Sequence, residues 1–336
     1  MTTCRAHSIC LALFLLCSLR SSGAQVSAWT AIAIPTQGDA PLNKIVFAND
    51  RVGWICAGLN TILKTLDGGM NWTVLQTNLA VPGTDVSGLW FADRDRGWAA
   101  GAIGRQPAIW QSRDGGKTWS LQRIWPRAFA DSSGGMLDVR FADDTRGWAV
   151  GYNGFNANIV ATNDGGRHWK TQYSGSEITG QFNRVRCSDH NNAWVLASEA
   201  VMQTRDGGES WRLRYFDSAL LNDIDVVDAS EAWVAGAWGH VLHTRNGVAW
   251  PKVLFGGSFA DRFFGFVKFI SKDRGWTWGT KCDILATTDA GKTWTPEECP
   301  LGAKLRAGIS TGEMARTTSK LFMIANPGRV LVRVIE

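Results

Sequence analysis

Thr65-Leu66-Asp67-Gly68-Gly69-Met70-Asn71-Trp72 is one of six copies of a single cassette in this chain of 336 residues. Further copies run from Ser112 to Trp119, Thr162 to Trp169, Thr204 to Trp211 and Thr287 to Trp294. A shortened copy, Thr244-Arg245-Asn246-Gly247-Val248-Ala249-Trp250, precedes the last. Successive Asp positions (Asn246 in the short copy) lie 47, 50, 42, 40 and 43 residues apart. A period of about 40–50 residues built from short strands signals a β-propeller. Within each box the carboxylate is suited to bond the backbone of its own tight turn. The Gly after it takes positive φ without a Cβ clash.

Working outward, each box follows a Trp that closes a short apolar strand: Trp54, Trp98, Trp148, Trp194, Trp233 and Trp276. Seven residues before these stand anchors Phe47, Phe91, Phe141, Cys187, Val226 and Phe269. Each repeat then reads as four strands; in the first these are Asn43–Phe47, Gly53–Ala57, Thr61–Thr65 and Trp72–Gln76. A seventh unit is split. Leu321 to Val332 tracks Gly53 to Leu63, and Ala28-Trp29-Thr30-Ala31-Ile32 mimics Asn71-Trp72-Thr73-Val74-Leu75. The expected fold is an all-β, seven-bladed propeller of four-stranded blades, its last blade closed by the N-terminal strand. A six-bladed ring is the alternative. Closure matters because an open array leaves a bare blade face and a free strand edge.

Residues 1–24 read as a secretory signal: Arg5, an apolar run from Ile9 to Leu19, then Ser22-Gly23-Ala24 before Gln25. That run is too short to span a bilayer. Residues 25–336 are expected to form one propeller, exported to a periplasmic or lumenal space, with no transmembrane segment in the mature chain, and monomeric. Without Arg5 and Arg20, 33 basic residues stand against 30 acidic ones, a balance that does not indicate nucleic-acid binding. Of seven Cys, Cys56, Cys187, Cys282 and Cys299 remain after cleavage. Cys282 and Cys299 should face each other across their blade, either as a disulfide in an oxidising compartment or as two thiols. Cys56 and Cys187 read as small buried hydrophobes.

The box residues Asp67, Trp72, Asp114, Trp119, Asp164, Trp169, Asp206, Trp211, Asn246, Trp250, Asp289 and Trp294 are read as turn and packing devices. Twelve of the eighteen Trp occupy the two repeat positions, as core packing requires. Function is sought instead on the first strand of each blade, the one nearest the axis. One residue before the anchor come Val46, Trp90, Arg140, Arg186, Asp225 and Lys268; three before it come Lys44, Gly88, Asp138, Arg184, Asp223 and Phe266. Strand alternation sends these away from the apolar set Ile45, Leu89, Val139, Val185, Ile224 and Val267. They are either a solvated ring of salt bridges or a mouth that docks an acidic protein segment. In the second reading Lys44, Arg140, Arg184, Arg186 and Lys268 bind the partner, Arg by bidentate bonds. Arg94, Arg96, Arg146 and Arg274 are expected to form an exposed basic rim.

Catalytic motifs are absent. The sequence has no phosphate loop of the GxxxxGK[ST] kind and no G-x-S-x-G elbow. His240 and His243, three apart on a strand, point to opposite faces, so neither a metal nor a cofactor is expected. Boxes of this kind occur in sialidases, which need an Arg triad and a Tyr nucleophile. Here Ala33-Ile34-Pro35 stands where Arg-Ile-Pro is usual, and Tyr is confined to Tyr152, Tyr173 and Tyr215. A glycoside hydrolase and a carbohydrate-binding module are the alternatives to a protein-binding scaffold.

Gly97-Trp98-Ala99-Ala100-Gly101 and Gly147-Trp148-Ala149-Val150-Gly151, each followed by a box, resemble the photosystem II stability/assembly factor family. The resemblance covers nearly all of residues 25–336. It implies a seven-bladed, non-enzymatic propeller that binds a protein client, a subunit of an assembling membrane complex, through a basic patch. That patch is assigned here to Arg140, Arg184 and Arg186. Similar propellers occur in bacteria without photosynthesis. The chain departs from the photosynthetic pattern in its short export signal, without twin Arg, and in its degenerate fifth box.

Overall fold

The computed structural model describes residues 28–335, apart from 37–39, 59, 80–81, 127, 129–130, 179, 254–261, 280–281, 302–313 and 326. The expected export signal lies outside the described residues. Seven antiparallel sheets follow one another, six of them four-stranded. In blade 1 the strands are Leu42–Phe47, Gly53–Ala57, Thr61–Thr65 and Thr73–Leu75, in that order from axis to rim. The first strands of blades 1 to 7 touch in one unbroken circle, blade 7 meeting blade 1. Blade 7 runs Met314–Arg316, Lys320–Ala325, Arg329–Val334, and its outermost strand is Trp29–Ala33. Trp29 pairs with Arg333 and Ala33 with Arg329, so the two chain ends close the seventh blade together. This excludes the six-bladed alternative.

The seams between blades explain the sequence pattern. Trp54 of blade 1 stacks on anchor Phe91 of blade 2 at 3.6 Å, and Phe91 meets box residue Trp119 edge-on at 5.9 Å. Trp98, Phe141 and Trp169 repeat the arrangement, as do Trp233, Phe269 and Trp294. At the closing seam Phe322 replaces the Trp and stacks on Phe47 at 4.3 Å. Each such pair contributes about 0.5–1.5 kcal/mol beyond its burial. The anchor's cross-strand partner is small: Phe91 faces Gly97, and a Cβ there would sit 2.4 Å from the Phe91 ring. Phe47, Phe141 and Phe269 likewise face Gly53, Gly147 and Gly275, whereas Cys187 and Val226 face Ala193 and Ala232.

In the first box Asp67 Oδ1 accepts from the amide of Asn71 at 2.9 Å, and Thr65 Oγ1 accepts from the amide of Gly69 at 2.9 Å. Trp72 Nε1 donates to Gly69 O at 3.1 Å. The Asn71 amide and side chain hold the Asp67 carboxyl down at about 2, against the smaller effect of burial. The turns of blades 1, 2 and 3 also receive a donor from the blade before them: Lys64 Nζ reaches Gly115 O, Gln111 Nε2 reaches Gly165 O, and Lys320 Nζ reaches Gly68 O across the closing seam. The boxes are thus spent on their own turns and on the neighbouring blade.

Blade 5 is the exception to four strands. Its box is one residue short, and Asn246 still bonds the amides of Val248 and Ala249 at 2.9 Å. Pro251 then follows Trp250 and offers no N–H to a ladder. The fourth strand shrinks to one bridge, Leu242 to Lys252. In blade 6 Cys282 and Cys299 form a disulfide with Cα atoms 5.8 Å apart. Cys56 and Cys187 are free thiols, both pushed up to about 12 by burial. A carboxylate secures the seam of blades 6 and 7: Glu297 Oε2 accepts from Trp29 Nε1 at 2.7 Å and pairs with Arg333 at 2.5 Å.

Candidate partner-binding site: the central channel

The innermost strand of a blade has one edge with no ladder partner, so its amides need other acceptors. Channel carboxylates supply them from the preceding blade. Asp138 of blade 3 accepts from the amide of Val185 in blade 4 at 3.0 Å. Asp225 of blade 5 accepts from the amide of Phe269 in blade 6 at 2.7 Å.

The basic residues neutralise these carboxylates. Lys44 Nζ lies 2.7 Å from Asp138 Oδ1, both residues being buried. Lys44 belongs to blade 1 and Asp138 to blade 3. The intervening position is Gly88, where a Cβ would stand 2.9 Å from the Asp138 Cα, so blade 2 leaves the way clear. Arg186 bridges Asp138 at 2.8 Å and Asp223 at 3.3 Å. Arg184 lies 3.5 Å from Asp223, and Lys268 pairs with Asp225 at 2.5 Å. Burial alone would raise the Asp138 carboxyl; Lys44 and Arg186 outweigh it and hold it well below the usual carboxylate range. A buried network of this kind costs several kcal/mol per ion to desolvate, and its geometry must repay that.

Four of the five expected partner-binding residues, Lys44, Arg140, Arg184 and Arg186, gather around Asp138, while Lys268 pairs with Asp225. Lys44 and Arg186 are buried inside the network. Arg140 and Lys268 stand near the trailing ends of their strands, Arg140 with its guanidinium 4.2 Å from the Trp90 ring. Arg184 stands at the leading end, where it lines a cavity of about 430 Å³. The expected rim of exposed Arg is also different in detail. Arg94 is exposed, but Arg96 bridges Asp93 and Asp144, and Arg146 and Arg274 are half-buried over the rings of Trp148 and Trp276.

The leading-end cavity is lined chiefly by residues that sequence reading passed over. Four residues before the anchors stand Asn43, Ser87, Leu137, Asn183, Asn222 and Gly265, and all six line it. Alternation puts this position on the same face as the apolar residues two places on. Instead, every one of the six inner strands skips a register there: between Leu42 and Lys44, Val86 and Gly88, Met136 and Asp138, and so on. A bulge re-aims the extra residue. It turns these side chains to the mouth. The signal was present in the sequence as a repeat position that is uncharged throughout and polar in four of six strands, Asn43, Ser87, Asn183 and Asn222.

Other candidate chemistry is occupied. His243 stacks on Trp233 and bonds Glu231 at 2.9 Å, while His240 bonds Ala237 O. Tyr215 donates to Asp217 at 2.7 Å on an outer strand. No group of three or more His, Cys, Asp or Glu gathers as metal ligands among the described residues.

The family model described as photosynthesis system II assembly factor YCF48 matches residues 21–123 and 125–200, together more than half of the chain. The chain belongs to that family. No curated protein matches it. Among solved structures, "YCF48 bound to D1 peptide" is similar with a TM-score of 0.71 at 18% identity, over 93% of this chain and 98% of that one. YCF48 from Cyanidioschyzon merolae gives a TM-score of 0.69 at 21% identity, over 92% and 99%. An ancestral GH74 enzyme, AFV00434, gives 0.65 at 11% identity, over 88% of this chain but 45% of that one. These likenesses show the fold. The YCF48 match ends at residue 200, so the short box of blade 5 and the disulfide of blade 6 lie beyond it.

Proposed function

We propose that this chain is an exported, non-enzymatic assembly factor that binds a protein subunit of a membrane complex. Membership of the YCF48 family carries the reading. A similar propeller is known bound to D1 peptide, which makes a peptide segment the natural form of client. The channel supports the same view: its buried carboxylates Asp138 and Asp225 are committed to inter-blade amides and cations and are not poised for proton transfer. Export rests on Arg5, the Ile9–Leu19 run and Ser22-Gly23-Ala24, and the Cys282–Cys299 disulfide suits an oxidising compartment.

The test is crosslinking and pull-down of the tagged chain from its native host, together with a panel of fluorogenic sialosides and glucans. The proposal expects a membrane-complex subunit among the captured proteins and no turnover. Turnover that is lost when a channel carboxylate is changed to its amide would overturn it in favour of a glycosidase.

A further inference from the structure

The mouth at the leading ends of the inner strands has a chemistry different from the rest of the channel. Six strands each contribute one bulged residue to it. The polar side chains are carboxamides and hydroxyls: Asn43, Ser87, Asn183 and Asn222, joined by Gln181 and Ser198. Two are held in place, since Asn183 Nδ2 donates to Ser198 Oγ at 3.3 Å and Asn222 Nδ2 to Phe264 O at 3.0 Å. Their Oδ1 atoms are left as acceptors. Asn43, Ser87 and Gln181, all half-buried, make no side-chain hydrogen bond among the described residues.

Formal charge at this mouth cancels. Asp85 is exposed on one side, and Arg184 on the other is held by Asp223 and donates to Asn183 O at 3.1 Å. An acidic segment would meet one guanidinium that already has a carboxylate beside it. A carboxamide carries both a donor and an acceptor, which is what a peptide group presents in return. A sugar ring would lack a flat face to stack on, because Phe266, the one aromatic residue among the described residues of the lining, is 2% exposed.

We propose that this ring of bulged residues, with the carboxamides of Asn43, Asn183 and Asn222 and the hydroxyl of Ser87 as its polar groups, grips the main chain of an extended, uncharged segment of the protein client. The inference rests on the assembly-factor reading and deepens it. It differs from the expectation of an acidic segment on Arg140, Arg184 and Arg186: the client is read by its backbone, and the buried cations hold the wheel together.

The experiment uses the full chain without its export signal and synthetic 12-residue peptides tiling D1, with binding followed by fluorescence anisotropy. The tightest binder is then remade in two ways, with two central amides N-methylated, or with every Asp and Glu changed to Asn and Gln. Loss of two main-chain hydrogen bonds should weaken binding by about tenfold or more, and neutralising the acids by less than about threefold. Asn43→Ala with Gln181→Ala should weaken it about tenfold. Lys292→Ala, exposed at a box turn, should leave it unchanged. Binding that ignores N-methylation, falls with acid neutralisation, survives the double variant, or is competed away by cellohexaose would overturn the proposal. A wild-type chain that binds no peptide would sink the assembly-factor reading with it. Wild-type binding that survives the mouth variant sinks the mouth alone.

Discussion

At the box turns of blades 1, 2, 3, 4 and 6 the same Asp bonds the same turn amide, whereas in the channel no two blades carry the same charged pair. The repeated charges are local: each Asp serves residues four positions away. The unrepeated ones are long-range, linking blade 1 to blade 3 through Lys44 and Asp138, and blade 3 to blade 5 through Arg186. A device copied once per blade builds the blade. A device present once belongs to the particular molecule, and only the axis offers positions where every blade meets.

The sharpest way to break this contrast is at Arg186. Arg186→Met removes the cation that Asp138 and Asp223 share, leaving Asp138 to Lys44 and Asp223 to Arg184. It should cost about 3–5 kcal/mol, read as a lowered midpoint in urea unfolding. Adding Asp138→Leu and Lys44→Met should recover only part of that loss: it removes the desolvation cost of Asp138 and Lys44 but leaves the Val185 amide without its acceptor and Asp223 with Arg184 alone. A single variant as stable as wild type would show that the channel charges are solvated rather than structural.

A smaller effect is expected at the seams. Gly97→Ala drives a methyl into the Phe91 ring and should cost about 1–3 kcal/mol. In a Phe91→Val background the same change should cost far less, since Val226 already tolerates Ala232 opposite it. A double-mutant cycle measures that coupling, and additive losses would contradict the packing account.

The smallest effect belongs to single boxes. Asp67→Ala should cost about 1 kcal/mol. Its carboxyl titrates near 2 when folded, below the ordinary carboxylate value of about 4. The stability it confers is therefore present above about pH 4 and lost as pH falls through about 2. Asp289, bonded by Thr293, follows the same course at about 2. Thermal melts should be flat from pH 7 to about 5 and fall steeply below about 4. A melting temperature unchanged down to pH 2 would contradict the assigned bonds.

The wheel itself was readable because its signals are local and copied. Trp and Asp positions fix the period, and Trp29 imitates Trp72 closely enough to place the last strand. The shrunken fourth strand of blade 5 was half visible, in the short box and Pro251. The channel was not readable. Which cation meets which carboxylate depends on distances across the closed ring, and on Gly88 opening a path that strand alternation does not foretell. The mouth was hidden by the bulges: strict alternation assigns Asn43, Asn183 and Asn222 to the apolar face, and one extra residue in each inner strand reverses that.

Hydrogen–deuterium exchange of the full chain, with and without a bound D1-derived peptide, tests the division of labour most directly. The account predicts slowed exchange at the leading ends of the inner strands, around Leu42–Lys44, Val86–Gly88, Phe182–Arg184 and Leu221–Asp223, with the box turns unchanged. Slowed exchange at the box turns, with those leading ends unaffected, would contradict it.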